Sequence, residues 1–161
     1  MGAPQPALDS DRESLSFNFD KESKVMPVVF IQNQQTKVPI PIPIPDITPL
    51  NPPLGVVPPL PPKIKFLNNT AKQSPLSAVM TGLAYASQHA DAVTGTGSLN
   101  VVRYGRILKS RQLVGVRNAG AAFDGLYYVK SVTHAIKHGE YKQNFTLVRN
   151  GLLSTVPRVP A

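Results

Sequence analysis

The chain has 161 residues, of which 17 are proline and none is cysteine, and its formal net charge is +8. This length is enough for one domain with a hydrophobic core and too short for two domains of ordinary size. The absence of cysteine excludes disulfides, thiolate metal ligands and cysteine nucleophiles. No run approaches the ~18 apolar residues of a membrane span, and no signal-peptide pattern opens the chain, so we expect a soluble protein that is not exported by that route.

The positive charge is concentrated in the C-terminal third. Residues 103–161 contain ten Lys and Arg side chains against two acids, Asp124 and Glu140, whereas residues 1–102 contain seven of each sign. Such a region indicates nucleic acid, an acidic partner protein or an assembly surface that faces an oppositely charged neighbour. The basic residues recur singly along alternating strands and do not form a cluster with interleaved stacking aromatic side chains, which disfavours nucleic acid.

The N-terminal part predicts a leader followed by strands. Residues 1–13 are polar and rich in turn formers, which predicts disorder. Residues 14–20, SLSFNFD, alternate apolar with polar side chains, the period of a half-buried strand. Residues 25–32 favour a second strand, in which Pro27 belongs at an edge or at the strand start because it has no N–H. We therefore assign residues 14–38 to N-terminal strands.

A Pro-rich segment follows, with eleven prolines between residues 39 and 62. Proline fixes φ and has no N–H, which excludes a helix and an internal strand. The composition predicts an extended linker over residues 39–73. It is either a stiff spacer that lies against a neighbouring protein surface, which the interspersed Ile and Leu favour, or a docking ligand for a Pro-binding domain.

One amphipathic helix is predicted next. Ser74 is suited to the N-cap and Pro75 to the first helical position, where its missing N–H costs nothing. The helix extends to about Ala90, and Gly82 weakens it modestly. The apolar face, which we expect to pack in the core, comprises Leu76, Val79, Met80, Leu83, Tyr85 and Ala86.

The following segment predicts strands and no nucleotide site. Gly95 and Gly97 alternate with Thr and Ser, but neither the Gly-Lys-Ser/Thr of a phosphate loop nor the dinucleotide fingerprint is present. Glycines in a strand permit close backbone approach or a bulge. We predict a strand here, another over residues 107–117 and a loop over residues 118–125.

The strongest local signal is a β-hairpin between Gly125 and Gly151, with His138-Gly139 as its turn, because Gly139 permits the positive φ that a two-residue turn requires. One face mainly carries apolar residues and packs on the core, and we expect Ile136 and Val132 there. The facing pairs on that side are Lys137/Glu140, Ile136/Tyr141, His134/Gln143, Val132/Phe145 and Lys130/Leu147. Those on the other side are Ala135/Lys142, Thr133/Asn144, Ser131/Thr146 and Val129/Val148.

These elements together predict an α+β, mostly β fold: an antiparallel tube-like β-barrel or sheet that carries one amphipathic helix, with a Pro-rich extended linker. The helix and the antiparallel β domain occupy residues 74–151. Residues 152–161, with two prolines, form a C-terminal tail.

No pattern predicts catalysis, a cofactor or a metal site. His134 and His138 lie more than ~12 Å apart along an extended chain, too far to share a metal ion. No Gly-x-Ser-x-Gly elbow is present, and Asp124 and Glu140 are too few for paired-carboxylate chemistry. We therefore expect a non-enzymatic protein.

A specific run of residues lies in and around the hairpin: FDGLYYVKSVTH from Phe123 to His134, followed after the turn by GEYKQ, FTL, Arg149 and Gly151-Leu152. The upstream segments that fit the same pattern are LSFNFD at 15–20, ADAV at 90–93, RYG at 103–105 and LVGVR at 113–117. Together they resemble the phage late control protein D family, the baseplate hub proteins of contractile phage tails and extracellular contractile injection systems. The resemblance covers about residues 14–157. Asn150 departs from it, because an acidic residue is expected there.

Family members carry further β-rich domains ahead of this region, so the resemblance implies the C-terminal portion of a hub: either a truncated hub or a split one, whose N-terminal portion a separate polypeptide supplies. It implies a homotrimer whose tube-like domains form a pseudo-hexameric ring between the inner tube protein and the central spike protein. It also implies assembly in the bacterial cytoplasm, as part of a virion tail or injection particle. The residues that we then expect at intersubunit or lumen contacts are Arg103, Arg106, Lys109, Arg111, Lys130 and Lys142.

Two other functions are open at this point. One is a basic nucleic-acid-binding module, whose affinity for arbitrary DNA would fall strongly with salt. The other is an adaptor whose Pro-rich segment, residues 39–62, recruits another protein.

Overall fold

The structure is a computed structural model, and it describes residues 7–8, 12–33, 35–45 and 52–156. The described strands are β1 (Ala7–Leu8), β2 (Arg12–Phe19), β3 (Val25–Gln32), β4 (Pro39–Pro43), β5 (Gly55–Val57), β6 (Lys63–Leu67), β7 (Val93–Asn100), β8 (Leu113–Val116), β9 (Gly125–Lys137), β10 (Glu140–Arg149) and β11 (Leu152–Ser154). The described α-helices are α1 (Pro75–Gln88) and α2 (Val101–Tyr104), and short 3₁₀ helices lie at Lys21–Ser23 and Asn68–Lys72.

The chain divides into two compact units. Unit 1 comprises the described parts of Met1–Asp20, Pro53–Pro58 and Val93–Ala161, and unit 2 those of Lys21–Pro52 and Pro59–Ala92. The predicted grouping of the helix with the hairpin in residues 74–151 is therefore corrected. Helix α1 belongs to the unit that contains β3, because its buried face packs on that strand.

Unit 1 is built on a curled sheet that forms a half-barrel. In the described part of the chain its spatial order is β1-β8-β9-β10-β7-β2. The neighbouring strands are antiparallel, except that β1 runs parallel to β8. The predicted fold class, mostly β with an antiparallel sheet and one sizeable helix, is confirmed.

The hairpin of β9 and β10 has the predicted turn. Gly139 adopts a φ of +76°, the left-handed conformation that glycine tolerates best. The predicted facing pairs are found from Lys137/Glu140 through Ser131/Thr146.

A bulge changes the register beyond that point. Leu147 pairs with Val129, which leaves Lys130 as the extra residue of β9. The predicted pairs Lys130/Leu147 and Val129/Val148 are therefore wrong. The bulge has a physical reason: an unbroken alternation would turn Lys130 towards the core beside Leu147, whereas the bulge turns Val129 there, and both Val129 and Leu147 are fully buried.

The hairpin extends beyond the strand that flanks it. The pairing of β8 with β9 ends at Leu113/Tyr128, nine residues before the end of β9 at Lys137. Ile136 lies in this extension and is 72% exposed, so its predicted place in the core is wrong. Val132 is half-buried and packs against the core cluster, as predicted.

Glycines in β7 allow its neighbours to approach closely, as predicted. A Cβ at Gly95 would lie 2.6 Å from the Phe17 ring. A Cβ at Gly97 would overlap the Ser14 carbonyl oxygen and lie 2.7 Å from the Phe145 ring. Glycine at 97 therefore lets the backbone of β2 pair at this distance, and glycine at 95 leaves room for the Phe17 ring.

The predicted C-terminal tail is corrected where β11 forms. Leu152 faces Val57 and Ser154 faces Gly55 of β5. The Asn150 side chain supports this pairing, because its Oδ1 accepts hydrogen bonds from the N–H groups of Leu54 and Gly55, both at 3.0 Å. The rest of the predicted tail, at residues 157–161, lies outside the described residues.

The predicted disordered leader is corrected at two places. Ala7–Leu8 pair with β8, and β2 begins at Arg12. Backbone pairing with an existing strand needs no apolar periodicity in the added segment, so composition did not reveal it. The rest of the leader, residues 1–6 and 9–11, lies outside the described residues.

Unit 2 contains a three-stranded sheet, with the order β4-β3-β6 in the described chain. Strand β3 confirms the prediction for residues 25–32, and Pro27 is its third residue, near the strand start. The Ile44 N–H donates to the Pro27 carbonyl at 2.9 Å and the Asn33 N–H to the Val38 carbonyl at 3.1 Å, on either side of the β3/β4 pairing.

The predicted extended linker is corrected, because Pro39–Pro43 form an edge strand. The hydrogen bonds on either side of β4 place its isoleucines at the hydrogen-bonded positions and its prolines at the alternate ones, whose N–H would point away from β3. Proline therefore removes no ladder bond here. Strands β5 and β6 and the second 3₁₀ helix lie further along the predicted linker, and residues 46–51 are outside the described chain.

Helix α1 begins as predicted. The Ser74 hydroxyl accepts a hydrogen bond from the Ser77 N–H at 3.3 Å, and Pro75 is the first helical residue. The predicted apolar face is confirmed in part, because Ala86 is buried and Val79 and Leu83 pack against the same core cluster. It is wrong for Leu76 and Met80, which are 73% and 56% exposed, and the other buried residues of the helix are Ala78 and Gly82.

Gly82 explains this choice of face. A Cβ at Gly82 would lie 2.7 Å from the side chains of both Ile44 and Val29. Small residues therefore bring the helix close to the sheet, and larger apolar residues flank the contact. None of the described helices is long and apolar enough to cross a membrane.

The predicted strand over residues 107–117 is shorter than expected. Only Leu113–Val116 form a strand, and residues 105–112 form an irregular segment after α2. The reason is that Leu108, inside that segment, bonds through its backbone to a side chain, as described below.

We expect Gly97→Val to lower the free energy of unfolding by about 3 kcal/mol, since the overpacked atoms include backbone. The matched control is Thr94→Val, an exposed position on the same strand, which we expect to change it by about 0.5 kcal/mol or less. Urea denaturation followed by circular dichroism measures both, and equal effects of the two substitutions would contradict the close packing.

Candidate assembly surface

Four of the predicted interface residues lie in one stretch of unit 1. Arg103 is on α2, and Arg106, Lys109 and Arg111 follow in the irregular segment, all exposed. We call residues 103–112 the basic segment. These four cations are therefore close together because they are close in sequence, and they lie on the surface of unit 1.

The start of the basic segment is held by caps at both ends of α2. Asn100 Oδ1 accepts hydrogen bonds from the N–H groups of Val102 and Arg103, at 3.1 and 3.4 Å. Gly105 ends the helix at a φ of +71°, and its N–H donates to the Val101 carbonyl at 2.9 Å. Glycine is suited to this left-handed cap.

The middle of the basic segment is anchored by a buried amide. Gln143 of β10 is fully buried, and its Oε1 accepts from the Leu108 N–H while its Nε2 donates to the Leu108 carbonyl, both at 2.9 Å. Leu108 itself is 2% exposed and belongs to the core. The side chain of Gln143 thus satisfies the two backbone groups that a neighbouring strand would otherwise pair.

The end of the basic segment lies beside the bulge that carries Lys130. The Arg111 N–H donates to the Val129 carbonyl, and the Val129 N–H donates to the Gln112 carbonyl, both at 2.8 Å. Lys130 is the next residue of β9 and is exposed. The backbone of Lys130 therefore lies next to the end of the basic segment.

Lys142 is separate from the other five. It precedes Gln143 in β10, and successive residues of a strand face opposite sides, so Lys142 lies on the side away from Leu108. Its Nζ lies 2.7 Å from the Glu140 carboxylate. The hydrogen bond from Lys142 lowers the pKa of Glu140, and the charge of Lys142 adds to that effect.

A groove with a volume of about 680 Å³ lies between α2 and the irregular segment that follows it. We call it the α2 groove. Val101 and Leu108 in its lining are buried, whereas Val102 and Ile107 are 74% and 52% exposed. The groove thus combines exposed apolar side chains with the cations Arg106, Lys109 and their neighbours in sequence.

Sequence reasoning missed the role of Arg149, which it treated as part of a family signature. Arg149 is 1% exposed, and its guanidinium donates to the carbonyl oxygens of Gly151 at 2.8 Å, Asp124 at 3.0 Å and Ala122 at 2.7 Å. It also lies 4.4 Å from the ring centre of Tyr127. Burial lowers the pKa of Arg149. A lone Arg after a run of apolar strand residues is the signal that would have indicated it.

Tyr127 lies beneath that guanidinium. Its hydroxyl donates to the Phe123 carbonyl at 2.7 Å, and its side chain is fully buried. Burial raises the pKa of Tyr127 to about 12, against a smaller opposing effect of Arg149. Arg149 and Tyr127 together hold the loop before β9, where Asp124 Oδ1 accepts from the Ala119 N–H at 2.7 Å.

The histidines have local partners. His134 Nδ1 lies 2.7 Å from the Tyr141 hydroxyl, and His89 Nδ1 lies 2.9 Å from the Tyr85 carbonyl oxygen. Within the described residues, no group of three or more His, Cys, Asp and Glu side chains is placed to hold a metal ion.

The fold is shared with solved phage tail proteins. The tail protein from Neisseria meningitidis MC58 matches with a TM-score of 0.56 and 13% sequence identity, over 94% of this chain and 46% of its own. The 43 kDa tail protein of prophage MuSo2 from Shewanella oneidensis matches with a TM-score of 0.50 and 12% identity, over 91% of this chain and 42% of its own. The chain thus spans less than half the length of these two structures. Neither the protein-family models nor the curated proteins give a match.

We expect Gln143→Leu to release the basic segment, because it leaves both backbone groups of Leu108 without their buried partner. The free energy of unfolding should fall by about 2–4 kcal/mol, and the Leu108 amide should exchange faster with solvent. Asn144→Leu is the control, since this neighbour is exposed. Hydrogen exchange measured by NMR distinguishes them, and unchanged protection of Leu108 in Gln143→Leu would contradict the anchoring role.

Stability should depend on pH through Tyr127. The pKa in the folded protein, about 12, lies above the ordinary value of 10.0 for the unfolded chain. The stabilisation is therefore fully present below pH 10 and is lost as the pH rises towards 12, which amounts to roughly 2–3 kcal/mol. We expect Tyr127→Phe to remove this part of the pH dependence and Tyr128→Phe, at an exposed neighbour, to keep it. Unfolding measured at several alkaline pH values tests this, and the same profile in both variants would refute it.

Proposed function

We propose that this chain is a structural component of a phage tail or of a related contractile injection machine, in the baseplate hub, and that it resembles the late control protein D family in function as well as in sequence. The observation that carries the proposal is the fold match with two tail proteins over 94% and 91% of the chain. The hairpin sequence supports the narrower assignment to the hub. In this role the chain transmits force through subunit interfaces and performs no reaction of its own.

The half-barrel form of the sheet supports an assembled state. Strands β1 and β2 are the two edges of the described sheet, and edge strands expose backbone groups that another subunit can pair. We propose that the partners are two further copies of this chain in a homotrimer, the inner tube protein and the spike protein. The particle would assemble in the bacterial cytoplasm and become part of the virion tail or injection particle.

The two other functions receive less support from the structure. An adaptor segment must be free to dock, but Pro39–Pro43 are paired with β3. A single-stranded nucleic-acid surface uses exposed aromatic rings for stacking, and the aromatic residue of the α2 groove, Tyr104, is half-buried.

The proposal is tested with the full chain, purified alone and after co-expression with a tail-tube protein and a spike protein. We expect a trimer or a stable complex with one of these proteins, measured by size-exclusion chromatography with light scattering. The Thr94→Val variant, which we expect to keep the fold, should assemble like the original chain. A protein that stays monomeric alone and in the presence of both partners would refute the hub assignment.

A further inference from the structure

The α2 groove combines exposed apolar side chains with cations, and the hub role does not say what binds there. We propose that it binds an acidic segment of a partner protein, with an apolar side chain of that segment seated between Val102 and Ile107. This inference rests on the proposed function in one respect: the partner is then another subunit of the same particle.

The groove has an apolar part that is open to solvent. Val102 and Ile107 are 74% and 52% exposed, although Val101 and Leu108 beside them are buried in the core. All four line the same groove. Two branched apolar side chains that face one concave surface gain by contact with an apolar group that displaces water from both.

The sequence around the groove is strongly basic. Arg103, Arg106, Lys109 and Arg111 fall within nine consecutive residues, and the sequence has no Asp or Glu between Asp91 and Asp124. The bulge adds Lys130 at the end of the segment. These cations attract carboxylates at a distance and repel other cations, so an acidic partner is the complementary one.

Lys142 provides a contrast within the same unit. Its charge is met by Glu140 at 2.7 Å, on the hairpin itself. The basic segment, by contrast, contains no acidic residue of its own.

The groove is preformed, because hydrogen bonds hold the segment that lines it. The Asn100 cap, the Gln143 amide and the hydrogen bond from Arg111 to Val129 hold the start, middle and end of the segment. A partner that binds such a surface loses little free energy in ordering it. The apolar seat also favours a peptide over a nucleic acid, which binds through phosphate contacts and base stacking.

The test measures the binding of two fluorescein-labelled peptides to the full chain by fluorescence anisotropy. The first peptide alternates glutamate pairs with leucine, and in the second serine replaces each leucine. We expect the leucine peptide to bind about tenfold more tightly, since one buried apolar group accounts for a difference of this size. We also expect its affinity to fall as salt is raised from 50 to about 300 mM, because salt screens the charges.

Matched variants locate the site. Ile107→Ser should weaken binding of the leucine peptide about tenfold, whereas Ile136→Ser, at a more exposed isoleucine of the hairpin, should leave it unchanged. Lys109→Glu should weaken both peptides about fivefold, and Lys137→Glu, at the hairpin end, should not. Val102→Ser is the second apolar variant, used if circular dichroism shows that Ile107→Ser is unfolded.

Several results would overturn the proposal. Equal affinity of the two peptides would show that no apolar side chain is bound between Val102 and Ile107. Equal effects of the groove and hairpin variants would show that the peptide does not bind in the α2 groove. Tighter binding of an arbitrary DNA duplex, unchanged by Ile107→Ser, would indicate a nucleic-acid surface. Assembly with tube and spike proteins without any peptide binding contradicts this inference alone, whereas peptide binding in a chain that never assembles contradicts the hub role alone.

Discussion

The pairing of β9 with β10, and the bulge within it, is the constraint on which the rest of unit 1 depends. Strand alternation fixes which side chains reach the core, and one inserted residue reverses that choice for everything beyond it. The insertion of Lys130 lets Val129 meet Leu147 in the core while Phe145, on the other side of the bulge, stays buried. The same insertion leaves a lysine on the surface beside the end of the basic segment. Core packing and surface charge are therefore set by a single irregularity.

Two buried polar side chains hold the irregular segments of unit 1 in place. Gln143 and Arg149 both project from β10, and both bond to backbone groups of irregular segments. A buried backbone group without a partner is costly, so a loop that crosses the core needs such acceptors and donors. Gln143 supplies them to Leu108 and Arg149 to the loop before β9. The irregular segments of unit 1 are thereby held to the hairpin without forming strands of their own.

This arrangement gives the functional proposals a common basis. A sheet with open edges is suited to subunit contact, and a rigid, basic, partly apolar groove on the same unit is suited to an acidic partner. The fold match with two tail proteins is independent of both features, because it concerns the course of the backbone. In unit 2, the small-residue face of α1 depends on close packing, because Gly82 allows Ile44 and Val29 to touch the helix. The edge strand of alternating prolines depends instead on the hydrogen-bond positions that its isoleucines occupy.

The sequence by itself determined the elements whose signal is local: the turn at Gly139, the cap at Ser74, the strands around Phe17 and Val29, and the glycine approach at Gly97. Each follows from backbone sterics or from a short period of apolar residues. Only the tertiary structure decided the bulge at Lys130, the exposure of Ile136, the small-residue face of α1 and the strand role of Pro39–Pro43. It also paired Lys142 with Glu140 and placed Arg106 and Lys109 in the lining of the α2 groove. These features depend on which partner lies opposite a residue, and that information is absent from local periodicity because the partner is distant in the chain.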